Sequence, residues 1–562
     1  MGIINKIVEC VPNISNGINP EVYNTVANSV LKIPGIKLLD IDPGAATNRT
    51  VITFAGSPDN IVEAAFELIK NAKDMIDMRT HKGEHPRMGA VDVCPFVPIS
   101  GVTMEECAEF AKKLARRVGE ELGVWVYLYE AAASKVEWKN LANIRKGEYE
   151  GLKDREGKSE WKADFGPAKL DPKFGACAIG ARKCLVAYNI NVNSNNKKWA
   201  QDIAFNIRES GRSKRVSYPD GDIVRNVDGT AINVSGIYQN CKATAWIIPE
   251  YNRAQITMNL TDIDETPLHI VFDEVLKQAN ERGVRITGSE IVGLVPLKVL
   301  LDAGKYFLQK QGLSAALSEK ELVQNAIISL GLNDVVPFDA NKKIIEYHFN
   351  VTKGLLVQQK IDEFADTLAS DAPAPGGGSV AALCGALSSA LAAMVTNLTH
   401  GKPQYREHWS KMEEVGIKGQ QLKTFFLKAI DLDTDAFNKV MAAMKMPKDN
   451  DEQKTLRKNT IDAANKEATL IPLSVLEKSS EIYPLLEYVG LHGNSNCASD
   501  VGVGVHCLLA AAEGAALNVR INLKNINDQL FRDNCIQRVN SLLTQIRGSS
   551  RSILENVEKF LK

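Results

Sequence analysis

The hydrophobic pattern of this chain changes near residue 340, and no single fold class accounts for both parts. Before that point, short apolar runs alternate with amphipathic stretches, which predicts strands and helices packed in layers. After residue 355 the strand pattern disappears, and long stretches favour helix. The sequence therefore predicts an α/β (α+β) half with two subdomains, followed by an all-α helical-bundle domain.

Domain boundaries follow from the same pattern. A polar stretch over residues 148–173 separates two regions in which strands and helices follow one another in a similar order. We predict a first α/β subdomain over residues 1–180, a second over residues 181–330, a linker over residues 331–355 and a helical domain over residues 356–562. A cleft between the two subdomains would be the natural substrate site.

One segment of the helical part, Ala372 to Gly401, contains no Asp, Glu, Lys or Arg. Its larger apolar residues recur at spacings of three and four and so lie on one helical stripe. They are Leu383, Leu387, Leu391, Met394 and Leu398. Because the remaining positions are mostly Ala, Gly, Ser and Thr, neighbouring helices could approach closely. This pattern favours a buried helix in a soluble bundle over a membrane span.

Composition limits the function classes. The chain has 562 residues, of which 44% are hydrophobic and 24% charged, as is ordinary for a soluble globular protein. A formal net charge of -1 argues against a general nucleic-acid or anionic-membrane binder. The ten cysteines form no CxxC pair, and the first residues lack a signal-peptide pattern, so we expect reduced thiols and a cytoplasmic location.

The densest group of acid-base residues is His81, Glu84, His85 and Arg87 in HKGEHPRMG. An apolar run over residues 91–97 follows and predicts a buried strand that ends at Pro98. The cluster should therefore lie on a loop beside a strand, where a rigid scaffold can hold reactive groups.

The spacing of these residues also matches HxxEH, an inverted zinc-protease pattern that works only on a helix. Gly83 within the motif and Pro86 directly after it disfavour a helix, so we do not expect zinc. Either imidazole could act as an acid or base near neutral pH, or could merely hydrogen-bond within a turn. The residues alone do not choose between His81 and His85.

Two motifs in the helical part could carry chemistry. GGGS at residues 376–379 opens the charge-free helix; it could bind an anion, or Ser379 could simply cap the helix. In the segment that begins with DLDTDAF, Ala436 and Ala442 stand where a calcium-binding EF-hand needs Gly and Glu. On a helix, Asp431 and Asp435 would share a face and Asp433 would point nearly opposite. At least one of the three should be solvated, and one could line a pocket.

Taken together, these segments resemble, in the same order, the bifunctional formimidoyltransferase-cyclodeaminase family of folate-linked histidine breakdown. The motifs that carry the resemblance are VECVPNIS, HKGEHPRMGAVDVCPFVP, DFGP, GARKCLVAYNINV, DAPAPGGGSVAAL, DTDAFN and SDVGVG. The resemblance implies transfer of a formimino group from N-formimino-L-glutamate to tetrahydrofolate. It then implies closure to 5,10-methenyltetrahydrofolate with release of ammonia.

The resemblance also implies site residues. His81 would serve the transferase and Asp433 the cyclodeaminase. The folate-binding loop would be Gly166, Pro167, Ala168, Lys169, Leu170, Asp171, Pro172, Lys173, Phe174 and Gly175. Within that loop, Lys169 and Lys173 are candidate tethers for an anionic polyglutamate tail.

Tetrahydrofolate, in polyglutamylated form, is the implied co-substrate, and no metal is expected. The implied assembly is a homo-oligomer built from dimers, up to an octamer, without nucleic acid or membrane. One alternative is a formyl-glutamate transferase joined to a methenyltetrahydrofolate cyclohydrolase. Another is a folate-binding scaffold without catalysis, against which the presence of His81 and Asp433 in their motifs argues.

Overall fold

The computed structural model of the chain describes residues 6–45, 47–83, 86–250, 252–349 and 356–562. Glu84 and His85 lie outside the described residues. The described residues form two compact units, each treated by itself below. The α/β unit comprises residues 6–303 and 326–349, and the helical unit comprises residues 304–325 and 356–562.

The strands lie in the first part of the chain, as predicted. They are β1 (Ile7–Cys10), β2 (Asn13–Ile14), β3 (Lys37–Gly44), β4 (Arg49–Gly56), β5 (Val91–Ser100), β6 (Trp125–Glu130), β7 (Ala176–Ala181), β8 (Val186–Val192), β9 (Arg212–Ser213), β10 (Asn233–Val234), β11 (Cys241–Ile248), β12 (Arg253–Leu260) and β13 (Ile286–Val292).

Helices connect many of these strands and form most of the chain after residue 356. They are α1 (Pro20–Asn28), α2 (Pro58–Met75), α3 (Met104–Glu121), α4 (Leu141–Ile144), α5 (Lys197–Ile207), α6 (Leu268–Glu281), α7 (Leu297–Lys310), α8 (Glu319–Leu330), α9 (Ala340–Lys343), α10 (Ile361–Ala369), α11 (Gly377–Thr399), α12 (Trp409–Met444), α13 (Asp451–Ser479), α14 (Tyr483–His492), α15 (Ala498–Leu523) and α16 (Gln529–Leu561).

The first sheet of the α/β unit combines both strand directions. β5, β7 and β6 run parallel, while β1, β2, β3 and β4 pair antiparallel. The apolar faces of α2 and α3 cover one side of this sheet, and Phe54, Phe96 and Ile179 are buried there. β5 begins at Val91 as predicted, but it continues through Pro98 to Ser100.

The second sheet of the α/β unit is antiparallel throughout, in the order β11-β12-β8-β13. Its buried apolar residues include Tyr188, Ile190 and Ile256. The structure therefore confirms the predicted α/β region, which contains two separate main sheets. β7 (ACAIGA) was not predicted, because small residues give it little of the β-branched pattern that marks strands.

The helical unit confirms the predicted bundle, with differences at two positions. The continuous helical pattern over residues 518–561 forms parts of two helices, because Asp528 caps a new helix by accepting a hydrogen bond from the Phe531 amide at 3.0 Å. Residues 304–325, which the sequence analysis assigned to the second subdomain, contact this unit. The Asn397 side chain, for example, donates to the Ala316 carbonyl at 3.0 Å.

α11 packs mainly through its small residues, and its leucine stripe is only partly covered, with Leu383 against the helical core. Ala382, Gly385 and Ala392 are buried against neighbouring helices, and the ring of Phe426 lies directly over Gly385. By contrast, Leu387 and Leu398 are 48% and 45% exposed. The small side chains let the helix backbones approach, which leaves these two leucines on the outer face of the described unit.

Two segments of the described residues are long and apolar enough to cross a membrane by length and composition. These are Gly377–Thr399 and Ser495–Leu523, and 61% and 50% of their apolar windows are buried within the protein. A core helix of a bundle meets the same criteria.

Candidate active sites

The loop between α2 and β5 carries His81. Its turn closes when the His81 amide donates to the Met78 carbonyl at 3.2 Å. Met78 is itself tied to a second loop, since its amide donates to the Lys173 carbonyl at 2.9 Å. The loop that bears His81 is therefore fixed to the predicted folate-binding loop by backbone hydrogen bonds.

Both ring nitrogens of His81 have a partner. The Nε2 atom lies 2.9 Å from the carbonyl oxygen of Asn48, and Arg87 Nε lies 3.3 Å from Nδ1. Because a guanidinium group can only donate and a carbonyl can only accept, Nε2 carries the proton and Nδ1 carries the lone pair. Burial lowers the pKa of His81, which favours this neutral form near pH 7.

Arg87 is itself held by carboxylates. Its guanidinium donates to both carboxylate oxygens of Glu150, at 2.8 and 2.7 Å, and to Glu148 at 3.2 Å. The hydrogen bond from Arg87 lowers the pKa of Glu150 below its usual range. Such a two-point contact fixes the plane of the guanidinium and therefore the direction of its Nε–H toward His81.

Asn48 ties three loops together from the turn between β3 and β4. Its φ is +47°, its side-chain amide donates to the Lys82 carbonyl at 2.8 Å, and its side-chain oxygen accepts from the Gly17 amide at 3.0 Å. Gly83 lies against the same turn, where an added Cβ would come within 2.3 Å of the Thr47 carbonyl oxygen. The glycine of HKGEHP therefore permits a close backbone approach.

The predicted folate-binding loop runs beside the His81 loop. Phe174 is buried, and its carbonyl accepts from the Ala90 amide at 2.8 Å. The Tyr149 hydroxyl donates to the Pro172 carbonyl at 2.6 Å, and the Tyr149 amide donates to the Arg87 carbonyl at 2.8 Å. The segment that holds Arg87 thus also holds this loop.

The loop residues differ in how much surface they offer. Gly166, Pro167, Ala168, Lys169 and Pro172 are exposed, Leu170, Asp171 and Lys173 are partly buried, and Phe174 and Gly175 are buried. The Lys173 ammonium donates to the Asp74 carbonyl at 2.9 Å. Lys169 has no ion pair within the described part of the chain. Of the two lysines, Lys169 is therefore the freer to meet an anion.

DFGP, the motif just before this loop, is structural. Asp164 accepts from the Leu128 amide at 2.7 Å, and the Trp161 ring is covered by the Arg155 guanidinium at 4.0 Å. Asp164 and the covered face of the Trp161 ring are therefore occupied by contacts within the protein.

In the helical unit, Asp433 of α12 lies against the first turn of α11. Its carboxylate contacts Gly378 so closely that a Cβ there would come within 2.2 Å of it, and Ser379 Oγ lies 3.4 Å from Oδ2. Burial raises the pKa of Asp433, and hydrogen bonds from Ser379 partly oppose that rise. GGGS and DTDAF, which lie far apart in sequence, therefore form one site.

The structure shows where Ser379 and the three acids of DLDTDAF lie. Ser379 does not cap α11, because the cap residue is Gly376 and Ser379 is buried with its hydroxyl donating to the Ile430 carbonyl at 2.8 Å. The three acids separate as expected on a helix. Asp435 is exposed, while Asp431 accepts a hydrogen bond from the Leu356 amide at 3.0 Å.

Several residues near these sites were not found from the sequence. Asn48, Glu150 and Asp92 come from separate segments, and residues 148–150 lie in the stretch interpreted as a separator. The two acids of GEYE, Glu148 and Glu150, were the sequence signal that could have indicated partners for Arg87. Among the described residues, no group of three His, Cys, Asp or Glu side chains could hold a metal ion.

Comparison with known proteins identifies the family. The description "Formiminotransferase domain, N-terminal subdomain" matches residues 7–182, "Formiminotransferase domain" matches residues 187–350, and "Formiminotransferase-cyclodeaminase" matches residues 360–541. The formimidoyltransferase-cyclodeaminase of Rattus norvegicus is 39% identical over 557 residues, which cover 99% of each chain.

Shorter relatives match the two halves separately. Glutamate formimidoyltransferase of Streptococcus pyogenes is 39% identical over 323 residues, 58% of this chain and 99% of that protein. Methenyltetrahydrofolate cyclohydrolase of Methylorubrum extorquens is 38% identical over 200 residues, 36% of this chain and 96% of that protein. The findings confirm the predicted resemblance and an enzyme with a transferase and a cyclodeaminase part. The chain belongs to the formimidoyltransferase-cyclodeaminase family.

Proposed function

We propose that the α/β unit moves a formimino group from N-formimino-L-glutamate to N5 of tetrahydrofolate, with His81 as the base. The observation that carries this proposal is the tautomer of His81, which leaves the lone pair on Nδ1. At 3.3 Å the contact from Arg87 to that atom is longer than an ordinary N–H hydrogen bond. A substrate N–H can therefore replace it.

The proton balance of the transfer follows from this tautomer. N5 attacks the amidine carbon, and Nδ1 of His81 takes the N5 proton. The glutamate nitrogen is then protonated, its bond to the transferred carbon breaks, and L-glutamate leaves. A positioned base contributes about a hundredfold to ten-thousandfold, and the alignment of two substrates supplies the rest.

In the helical unit, Asp433 would act on the next step. N10 attacks the carbon of the protonated formimino group on N5, and Asp433 accepts the N10 proton and passes it to the departing NH2 group. That group leaves as ammonia, and the positive charge stays on the methenyl product. The raised pKa of Asp433 suits a group that must both accept and return a proton. Proton transfer alone balances the step, so no metal is invoked.

The loop over residues 166–175 is proposed to bind folate, supported by its hydrogen bonds to the His81 loop. Lys169 is the proposed contact for an anionic glutamate tail, since its ammonium is exposed. A cytoplasmic location is also proposed, and the unpaired state of Cys10, Cys94 and the other cysteines fits a reducing compartment.

The cyclohydrolase relative supports a competing assignment for the helical unit, paired with a formyl-glutamate transferase. The full-length relatives named formimidoyltransferase-cyclodeaminase favour the main proposal. The two assignments differ in whether the reaction releases ammonia. Mixing N-formimino-L-glutamate with tetrahydrofolate should yield methenyl absorbance and one ammonia per turnover, whereas the alternative releases no ammonia.

Substitution at each proposed site should separate the two activities. His81→Ala should lower kcat/KM for transfer by about a hundredfold to ten-thousandfold and leave cyclisation of supplied 5-formiminotetrahydrofolate unchanged. Asp433→Asn should do the reverse. Glutamate and ammonia release measure the two steps. Loss of both activities in either folded variant would contradict two separate sites.

The pH dependence of transfer should show the pKa of His81 as the base. Since the neutral ring is the base and burial lowers the pKa of His81, kcat/KM should fall only as pH drops below about 6.5, the unshifted histidine pKa. Arg87→Gln removes a positive charge beside the ring and frees Glu150, so the acid limb should move to higher pH. Arg79→Gln, on the same loop, is the control. An unmoved limb in Arg87→Gln would exclude His81 as the titrating base.

Close contact at Gly378 provides a separate test of the Asp433 geometry. In Gly378→Ala the new methyl must displace the carboxylate, which can swing away without unfolding the helices. We expect cyclisation to fall and transfer to persist. Gly377→Ala is the matched control, because a Cβ there would meet only Asn518, at 3.6 Å. Full cyclisation in Gly378→Ala would remove Asp433 from the reaction.

We also propose that the helical unit pairs with a second copy of the chain through the outer face of α11 and α15. Leu387 and Leu398 of α11 and Val503 of α15 are exposed there. The two helices pack directly against each other beneath this face, since the buried Ser388 hydroxyl donates to the Gly504 carbonyl at 2.7 Å. An apolar face of this kind is typical of a partner surface.

Leu387→Glu should therefore lower the mass of the assembly in sedimentation or light scattering, because a carboxylate would be buried at the interface. Leu456→Glu is the control, since Leu456 is an exposed apolar residue of α13. An unchanged mass would refute this interface. Binding of the wild-type chain to lipid vesicles, lost in Leu387→Glu, would assign the face to a membrane instead.

A further inference from the structure

Arg49 opens β4, directly after Asn48, whose carbonyl oxygen accepts the His81 proton. The side chain is half-buried, and its Nε atom is fully buried without a hydrogen-bond partner. Within the described part of the chain, its guanidinium has no ion pair either. Burial lowers the pKa of Arg49, because removing a charged guanidinium from water raises the free energy of the folded chain.

Asp92 and Arg87, two other charged residues beside the His81 loop, already have partners. Asp92 is buried, accepts from the Met88 amide at 2.9 Å, and is paired with Arg145. Arg87 is paired with Glu148 and Glu150. Asp92 and Asp42 act on Arg49 electrostatically but form no ion pair with it among the described residues, so its guanidinium can still take a carboxylate. A second guanidinium Nε, that of Arg145, is also buried without a partner.

We propose that Arg49 is the recognition residue for a carboxylate of the amino-acid donor, and that this anion supplies its missing partner. The proposal rests on the proposed transferase function. A guanidinium offers N–H donors in a planar fork that matches a carboxylate at two points, and a lysine ammonium cannot reproduce that geometry. The bound donor would also remove the cost of the unpaired cation.

Both substrates of the transfer contain carboxylates, and their distance from the reacting carbon favours the donor. In N-formimino-L-glutamate, the α-carboxylate lies two bonds from the nitrogen that leaves. In tetrahydrofolate, an aminobenzoyl group lies between N5 and the glutamate tail. Arg49 adjoins Asn48, which binds His81, and it interacts electrostatically with Asp92, whose carboxylate accepts from the Met88 amide. An anion held by Arg49 would therefore lie beside the loop that bears His81.

The test compares Arg49→Met, Arg49→Lys and Arg225→Met in the full-length chain. Arg225 is an exposed arginine whose side chain contacts only its own loop, through the Gly229 carbonyl. We expect Arg49→Met to raise KM for N-formimino-L-glutamate by about 10-fold to 100-fold, with KM for tetrahydrofolate unchanged. Arg49→Lys should recover only part of that loss, and Arg225→Met should match the wild type.

Donor analogues show whether the lost contact is to a carboxylate. The wild type should bind the α-amide or the γ-amide of N-formimino-glutamate more weakly than the diacid, and Arg49→Met should lose that discrimination. Discrimination kept in Arg49→Met, or a rise only in KM for tetrahydrofolate, would overturn the proposal.

Calorimetric binding of the donor tests the contact even if no transfer occurs, so failure of the proposed function would be seen separately. Unchanged melting temperatures would exclude a folding defect, and Arg49→Lys preserves the test if Arg49→Met unfolds.

Discussion

The hydrogen bond between His81 Nε2 and the carbonyl oxygen of Asn48 decides what the α/β site can do. It fixes one tautomer, and the contact from Arg87 on the other side of the ring is compatible with no other. Asn48 can offer its carbonyl because its backbone adopts a positive φ in a tight turn, which asparagine tolerates better than most residues. Proton chemistry at the site therefore depends on a hairpin turn outside the motif.

The two-point contact between Arg87 and Glu150 makes the site depend on a further segment outside the motif. Glu150 orients Arg87, and the neighbouring Tyr149 binds the loop proposed to hold folate. A change in segment 147–151 would therefore alter the base and the folate loop together. In this arrangement, catalysis and substrate binding are coupled through backbone contacts and do not require a direct contact between substrate and Glu150.

Sequence patterns predicted the parts of this arrangement that are local. The start of β5, the loop that bears His81 and the helix that bears Asp433 follow from apolar periodicity and turn residues. Partners far apart in sequence do not leave such a pattern. Asn48 and Glu150 lie 33 and 63 residues from the groups that they contact, and a glycine-rich acidic stretch looks the same whether it separates domains or closes a site. Likewise, periodicity located the Leu387 stripe but not the side of α11 that packs.

Both proposed proton carriers are tuned in the same way. Burial lowers the pKa of His81 and raises that of Asp433, so each spends more time neutral than it would in water. A neutral imidazole can accept a proton, and a carboxyl nearer to neutrality can return one. Hydrogen bonds partly offset the burial of both groups. His81 bonds to the Asn48 carbonyl in the α/β unit, and Asp433 bonds to the first turn of α11 in the helical unit. Because burial rather than an ion pair sets these values, the shape of the packed loops and helices controls the chemistry more than net charge does.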